Sequence, residues 1–178
     1  MSVALLFAGV LMAQTPTADV AEGPVNCVRD DAVHQQMDDA QFEVLCFVNW
    51  VYGPGVLESI TPLGRDGPRV FTRAALDEMA AARGRSTDGQ SHPAFEADPL
   101  CGCQDPAGLR LASSMAPEVG PDRALVWVMF DFGAGTDEPS SLNNIEERTL
   151  ILRREAEGWR IDDITTGDGW SFRRSLAD

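Results

Sequence analysis

Residues 148–164, RTLILRREAEGWRIDDI, contain two runs in which apolar and polar side chains alternate. In the first run, Leu150 and Leu152 fall on one face of an extended chain and Arg153 falls on the other. The second run follows a short loop that contains Gly158. Two alternating runs joined by a short glycine-containing loop predict an antiparallel β-hairpin. Because one face of such a hairpin is solvated, the pattern favours an α+β layer over a buried parallel sheet.

A further extended segment precedes the hairpin. Residues 124–132, ALVWVMFDF, are almost all apolar and are followed by a glycine, which predicts a central strand with both faces largely covered. The two hairpin strands are expected over 145–154 and 159–165. Residues 109–115 are expected to form only an irregular or short extended segment.

Two helices are predicted before the strands. Asp30 or Asp31 can cap a first helix that runs to about Tyr52, in which apolar residues recur at a spacing of three to four. Thr72 is a suitable N-cap for a second helix over 73–83. Helices first and antiparallel strands afterwards predict an α+β fold in which a curved antiparallel sheet packs on the long N-terminal helix.

The N-terminal region has the composition of an export signal. Residues 1–13, MSVALLFAGVLMA, are apolar but too short to span a bilayer, which needs about 20 apolar residues. They suit a secretory signal peptide, whereas an N-terminal strand or helix of a cytosolic protein is the alternative. Residues 14–29 are expected to be a flexible leader, and residues 30–178 a single α+β domain. The expected location is therefore the periplasm or outside the cell.

The charge of the chain argues against two classes of partner. The 178 residues include 14 basic and 28 acidic side chains, which gives a net charge of −14. Such a surface repels phosphate backbones and anionic membranes, and no basic stripe is present. Neither nucleic-acid binding nor a membrane span is expected. The apolar share of 44% is typical of a globular protein with a substantial core.

The four cysteines are Cys27, Cys46, Cys101 and Cys103. An even number in an exported chain favours disulfides. A bond between Cys101 and Cys103 would close a very small ring and is not expected. We expect cross-links from the N-terminal segment and the first helix to the 101–103 loop, with the individual pairs unassigned. A four-sulfur zinc site is the alternative, but zinc sites usually have two Cys-x₂₋₄-Cys pairs, and a thioredoxin-type redox pair would need Cys-x-x-Cys.

Three segments resemble a known superfamily: VNWVY (48–52), ADPL (97–100) leading to QD (104–105), and GWRIDDI (158–164) ahead of SFRRSL (171–176). On these segments and the order of elements, the chain resembles the cone-shaped α+β superfamily of nuclear transport factor 2 and cystatin-like folds. Within it, the chain is similar to a group of exported bacterial domains of unknown function. The resemblance implies the cone-shaped fold and export, and it implies no particular activity. Cys101 and Cys103, which lie between ADPL and QD, depart from the pattern of that group.

Enzymes of this superfamily use an Asp and a His or Tyr inside the cone for proton transfer, which needs a base in a dry pocket. The resemblance makes Asp131, which interrupts the apolar segment 124–132, the candidate base. The alternative is a carboxylate at the strand end that meets solvent or an arginine. His34 and His92 are expected to be solvated. The carboxylates of residues 162–169, DDITTGDG, do not follow the ligand order of a calcium loop, so no metal or cofactor is expected.

The large aromatic residues offer a binding surface. Trp127 and Trp159 lie on neighbouring extended segments, where they either pack in the core or line the concave mouth of the cone. Arg153 can orient an anionic group, or it pairs with a carboxylate across the strands. The candidate ligand-binding residues are therefore Trp127, Asp131, Arg153 and Trp159.

Together these features predict an exported, non-enzymatic module that binds an unknown protein or small molecule through the concave face of its sheet. Two alternatives remain open. The first is a cofactor-free lyase or isomerase that uses a carboxylate in a cavity, and the second is a protein that binds metal through its thiols.

Overall fold

The structure is a computed structural model that describes residues 27, 36–85, 92–106, 109–132 and 145–177. The predicted signal peptide, His34 and all of the predicted leader except Cys27 lie outside the described residues. The described chain combines helices with a four-stranded antiparallel sheet, so the α+β class is confirmed. Its elements are α1 (Asp39–Val51), α2 (Gly67–Val70), α3 (Arg73–Arg85), β1 (Arg110–Val119), β2 (Arg123–Asp131), β3 (Ile145–Glu155), β4 (Gly158–Thr165) and α4 (Phe172–Ser175).

The sheet is a meander in which the strand order β1-β2-β3-β4 follows the chain. The predicted hairpin is β3–β4, where Glu155 pairs with Gly158 across a two-residue turn. Gly158 has a φ of +113°, which residues with a side chain rarely adopt. The predicted central strand corresponds to β2, but the expectation that both of its faces are covered is wrong, because Trp127 on one face is 43% exposed. Residues 109–115 were expected to be irregular or briefly extended, whereas β1 is a strand of 10 residues, Arg110–Val119, at one edge of the sheet.

The alternation along β2 gives the sheet two different faces. Phe130 is buried on the face that packs against α1, because its ring lies 4.9 Å from the ring of Tyr52 at the end of that helix. We call this the helix-covered face and the opposite one the open face. The β2 residues on the helix-covered face are all fully buried: Ala124, Val126, Val128 and Phe130.

Helix α1 is shorter than the sequence suggested. It begins at Asp39, and the Asp38 side chain accepts a hydrogen bond from the Gln41 backbone N–H at 2.7 Å. The expected start at residue 30 or 31 is therefore wrong, because a later aspartate provides the N-cap. The predicted apolar stripe is confirmed from Val44 onward, since Val44, Val48 and Val51 are fully buried, whereas Ala40 in the first turn is exposed.

Helices α2 and α3 lie against the outer edge of β4. Phe71 forms a parallel bridge with Ile161, and the Thr72 N–H donates to the Ile161 carbonyl at 2.9 Å. Thr72 also caps α3 as predicted, because its hydroxyl oxygen accepts from the Ala75 N–H at 3.1 Å. The same hydroxyl donates to Asp162 at 3.0 Å. These contacts fix the helices to the strand edge.

A polar cluster holds the C-terminal helix α4 against α3 and β4. Arg173 donates to Glu78 of α3 at 2.8 Å and to Asp162 of β4 at 3.1 Å. Its hydrogen bond lowers the pKa of the Glu78 carboxyl below the ordinary value. Asp163 accepts from the Ser171 hydroxyl at 2.7 Å and from the Arg173 backbone N–H at 3.0 Å. Asp162 and Asp163, two of the three aspartates in residues 162–169, thus accept hydrogen bonds from protein donors.

Candidate functional site

The open face of the sheet carries neighbouring apolar side chains from three strands. Met115 and Trp127 are cross-strand partners, and their exposed fractions are 56% and 43%. The half-buried side chains of Leu125 and Met129 flank Trp127 along β2, and Ile151 pairs with Leu125 from β3. We call these five residues the Trp127 patch. Exposed apolar groups of this kind mark surfaces that contact partners in soluble proteins.

The predicted binding residues do not form one site. Trp127 and Asp131 point to the open face of β2. Arg153 belongs to the same face, because it pairs with Arg123, which is an even number of residues from Trp127 along β2. Asp131 and the Arg123–Arg153 pair lie at opposite ends of β2, which places them about 27 Å apart. Trp127 lies midway between them. These three side chains therefore form a row along the strands on the face away from α1.

Trp159 lies on the other side of the sheet. It pairs with Arg154, belongs to the helix-covered face and is only 2% exposed. The Arg154 guanidinium lies 5.2 Å from the centre of its ring, an arrangement typical of a cation–π contact. Arg153 forms an ion pair with Asp162 at 3.7 Å, which is the cross-strand pairing that the sequence offered as the alternative. Trp159 is therefore a core residue.

Of the proton-transfer candidates, Asp131 is partly exposed, whereas His92 and Tyr52 are buried. Asp131 is the last residue of β2 and is partly exposed on the open face. His92 is 8% exposed, so the expectation of a solvated histidine is wrong. Its Nδ1 accepts from the Ala94 N–H at 3.2 Å, which caps a short 3₁₀ turn. Tyr52 is buried and donates to the Leu100 carbonyl at 2.9 Å. His92 and Tyr52 thus each have a structural hydrogen-bond partner.

All four cysteines are paired, but not as expected. The bonds join Cys27 to Cys46 and Cys101 to Cys103, so the predicted cross-links to the 101–103 loop are wrong. The smaller ring closes because Gly102 adopts a φ of +66°, a conformation that suits glycine. The two Cα atoms are 5.1 Å apart, inside the usual range for a disulfide. Since both pairs are oxidised, the disulfides indicate an oxidising compartment.

The late start of α1 explains the other pair. A helix that began near residue 31 would place Cys46 about 22 Å from its start, whereas the observed start at Asp39 leaves about 10 Å. The chain that leads into the helix therefore has less distance to cover. The Cα atoms of Cys27 and Cys46 lie 5.8 Å apart.

The loop that contains Cys101 and Cys103 is organised around Asp98. Its carboxylate accepts from the Leu100 N–H at 2.8 Å and from the Cys101 N–H. Its backbone N–H donates to the Cys103 carbonyl at 2.8 Å. Burial raises the pKa of the Asp98 carboxyl above its ordinary value, although the two N–H donors act in the opposite direction. Burial likewise raises the pKa of the Tyr52 hydroxyl, and the charge of Asp98 adds to this effect.

Two substitutions of Asp98 separate its charge from its hydrogen bonds. We expect Asp98→Ala to lower the free energy of unfolding by about 1–2 kcal/mol, because two loop N–H groups lose their acceptor. We expect Asp98→Asn, which keeps an acceptor oxygen and removes the charge, to be more stable than the wild type at neutral pH. Because the folded-state pKa is raised, this gain diminishes as pH falls through that pKa and the wild-type carboxyl becomes neutral. Urea unfolding across a pH series measures both effects; an asparagine variant as unstable as the alanine one contradicts the assignment.

A cleft of about 640 Å³ lies where the end of α1 meets the start of β1. Its two charged side chains, Glu58 and Arg110, are exposed. A small-molecule site usually combines an apolar pocket with a few buried polar groups that orient the ligand. The cleft is lined by Asn49, Tyr52, Gly53, Pro54, Gly55, Leu57, Glu58, Pro106, Leu109, Arg110 and Leu111.

Within the described ranges, no group of three or more His, Cys, Asp or Glu side chains is placed to hold a metal ion. In the same part of the chain, no helix is both long and apolar enough to cross a membrane. The chain has no significant match among protein-family models, curated proteins or solved structures.

Proposed function

We propose that this chain is a non-enzymatic binding module that is exported to the periplasm or secreted, and that it docks a protein partner through the Trp127 patch. The observation that carries the proposal is the pair of large apolar side chains, Met115 and Trp127, exposed side by side on adjacent strands. Trp and Met are enriched in the buried centres of protein interfaces, and single tryptophans often contribute a large part of the binding energy.

The packing of the sheet supports the open face over the helix-covered face as the docking surface. Phe130, Leu150 and Leu152 occupy the helix-covered face with no exposure at all. A ligand on that side would have to displace well-packed core side chains. On the open face, the Trp127 patch is already in contact with solvent, so docking removes apolar surface from water without rearranging the fold.

The net charge of the chain favours a partner with an apolar centre and a basic rim. Beside the Trp127 patch, exposed Glu147 pairs with Met129 from β3, whereas exposed Glu118 already forms an ion pair with Arg123 at 3.4 Å. The chain as a whole has a net charge of −14, which attracts cationic partners and repels anionic ones at long range. We expect association to be faster at low ionic strength for this reason.

Membership of the nuclear-transport-factor-2-like superfamily is part of this proposal. The succession of helices and a meandering antiparallel sheet supports it. The alternative of a cofactor-free enzyme rests on Asp131, which is partly exposed at the end of β2. A general base works best in a dry pocket that raises its pKa, so this position supports binding over catalysis.

Two tryptophan variants test the docking surface. We expect Trp127→Ser to weaken capture of the partner from a periplasmic or secreted extract by about 30-fold, the effect of losing roughly 2 kcal/mol at an interface centre. Trp170→Ser is the matched control, because Trp170 is 39% exposed and lies outside the Trp127 patch. Thermal unfolding of both variants confirms that the fold is intact.

Equal capture by the two variants contradicts the proposal, as does a partner whose cross-links to this chain map away from β1 and β2. The alternative to a different protein on the Trp127 patch is a second copy of this chain. Light scattering distinguishes this case, because a dimer formed through the patch dissociates in Trp127→Ser and persists in Trp170→Ser.

A further inference from the structure

The Cys101–Cys103 disulfide closes a much smaller ring than the Cys27–Cys46 disulfide. The sequence separation is 2 for Cys101–Cys103 and 19 for Cys27–Cys46. In the loop-entropy account, the stabilisation by a disulfide grows with the length of chain that it closes. The Cys101–Cys103 bond therefore adds little to stability by that route. Cys101 is fully buried, Cys103 is partly exposed and Gly102 is exposed.

The loop is held in shape by hydrogen bonds that do not involve the sulfur atoms. The Gly102 N–H donates to the Asp98 carbonyl at 2.7 Å, and the Asp98 N–H donates to the Cys103 carbonyl at 2.8 Å. The Tyr52 hydroxyl holds the Leu100 carbonyl at 2.9 Å. None of these bonds involves a sulfur atom, so opening the S–S bond does not itself remove any of them.

One donor reaches the Cys101 sulfur, and a guanidinium lies beside the Cys101 backbone. The Cys103 backbone N–H points at the Cys101 sulfur at 3.3 Å. The guanidinium of Arg148 donates to the Cys101 carbonyl at 3.4 Å, and it lies over Gly102 so closely that a Cβ there would be 2.4 Å from its Nη2. The Arg148 side chain is only 14% exposed, and its guanidinium is shared with the exposed Glu146 carboxylate at 2.6 Å. A nearby cation and an N–H donor both stabilise a thiolate.

We infer that the Cys101–Gly102–Cys103 loop is a thiol–disulfide exchange centre that oxidises dithiols of proteins or peptides. The sulfur of the partly exposed residue Cys103 is the atom attacked, and Cys101 is the leaving thiolate. This inference concerns a different site from the Trp127 patch and stands or falls separately from the proposed binding function.

The reaction is balanced in two exchange steps. A substrate thiolate attacks the Cys103 sulfur, forms a mixed disulfide and releases Cys101 as a thiolate, which takes a proton from water. The second substrate thiolate then attacks the substrate's own sulfur in the mixed disulfide and releases Cys103 as a thiolate. The substrate gains a disulfide by losing two electrons, and the Cys101–Cys103 pair gains them as a dithiol. A low-molecular-weight disulfide such as oxidised glutathione regenerates the pair and leaves as two thiols.

The test equilibrates the full chain with glutathione redox buffers, traps free thiols by alkylation and locates them by mass spectrometry. We expect Cys101–Cys103 to open in buffers that leave Cys27–Cys46 closed. We also expect dithiothreitol to reduce it at least about tenfold faster at neutral pH. Cys27–Cys46 is a suitable internal reference, because it also joins an exposed cysteine to a buried one. Reduction of the two bonds together, or of Cys101–Cys103 only in denaturant, contradicts the inference.

Single-cysteine variants identify the sulfur that is attacked. In Cys101→Ser, the remaining Cys103 should form a mixed disulfide with oxidised glutathione about tenfold faster than Cys101 does in Cys103→Ser. The reason is that Cys103 is partly exposed to solvent, whereas Cys101 is buried. Equal or reversed rates contradict the assignment. The reduced wild type should also oxidise again with oxidised glutathione and form a disulfide in a dithiol peptide on each cycle.

Arg148 is a positioning residue with its own readout. We expect Arg148→Gln to raise the pH at which the reduced pair forms its thiolate, which ultraviolet absorbance measures. We also expect this variant to slow reduction of the disulfide by about threefold to tenfold. Arg148→Lys retains a positive charge and should restore most of the effect. An unchanged pH profile in Arg148→Gln contradicts this role, since a merely structural arginine would alter stability and leave the thiolate titration in place.

Discussion

We expect Phe130→Ala to lower the free energy of unfolding by about 4 kcal/mol. Phe130 is fully buried on the helix-covered face, near the end of β2. Its ring contacts the ring of Tyr52, with 4.9 Å between their centres, and so joins β2 to the end of α1. Removing it takes away the buried apolar surface and leaves a cavity between strand and helix that neighbouring side chains fill only in part.

Chemical unfolding followed by circular dichroism measures the loss. Phe95→Ala is the matched control, because Phe95 is a half-buried phenylalanine of a 3₁₀ turn at the margin of the core. We expect it to lower stability by about 1–2 kcal/mol. Phe130→Leu should fall between the two, since leucine refills part of the volume. A loss at Phe130 no larger than that at Phe95 would show that the ring is not central to the packing.

The second large effect is expected from Gly67→Ala, which should lower stability by about 3 kcal/mol or more. A Cβ on Gly67 would lie 1.8 Å from the Pro62 carbonyl oxygen and 2.8 Å from its carbon. Both are backbone atoms, so no side-chain rotation relieves the overlap. Gly67 is buried at the start of α2, and the connector that contains Pro62 would have to move. Such a shift disturbs the contact of Phe71 with β4.

Gly84→Ala provides the control of opposite sign. Gly84 lies in the last turn of α3, and no atom lies within 4 Å of a Cβ built on it. Alanine is a better helix former than glycine, so we expect a gain of about 0.5–1 kcal/mol. Thermal and urea unfolding of both variants gives the comparison. A gain in stability at Gly67 as well would mean that the close approach to Pro62 is relaxed at little cost.

The hairpin and the central strand could be predicted because alternation and apolar runs are local properties of the sequence. Strand β1 could not, since its residues RLASSMAPEV have no clear alternation, and two register shifts in its pairing with β2 accommodate them. The start of α1 was missed for a different reason. Several aspartates precede the helix, and only the hydrogen bond from Gln41 to Asp38 shows which one is the cap.

The candidate site was predicted only in part. Strand parity brings Trp127, Asp131 and Arg153 to one face, as the sequence pattern could suggest. Trp159 faces the other way because the two-residue turn pairs Glu155 with Gly158 and thereby Arg154 with Trp159. That register is set by the turn, which depends on the positive φ of Gly158. The disulfide pairing depends on Gly102 in the same way, and neither conformation is encoded by apolar periodicity.

The Cys27–Cys46 bond has a practical consequence for proteolysis. A protease that cuts the chain at any peptide bond between these two cysteines produces two polypeptides that remain covalently joined. The nicked protein therefore migrates as one species on a non-reducing gel and as two fragments once reductant is added. An N-terminal remnant that carries Cys27 would likewise stay attached to α1 after such a cut, so sequencing by Edman chemistry would return two N-termini from one apparently intact band.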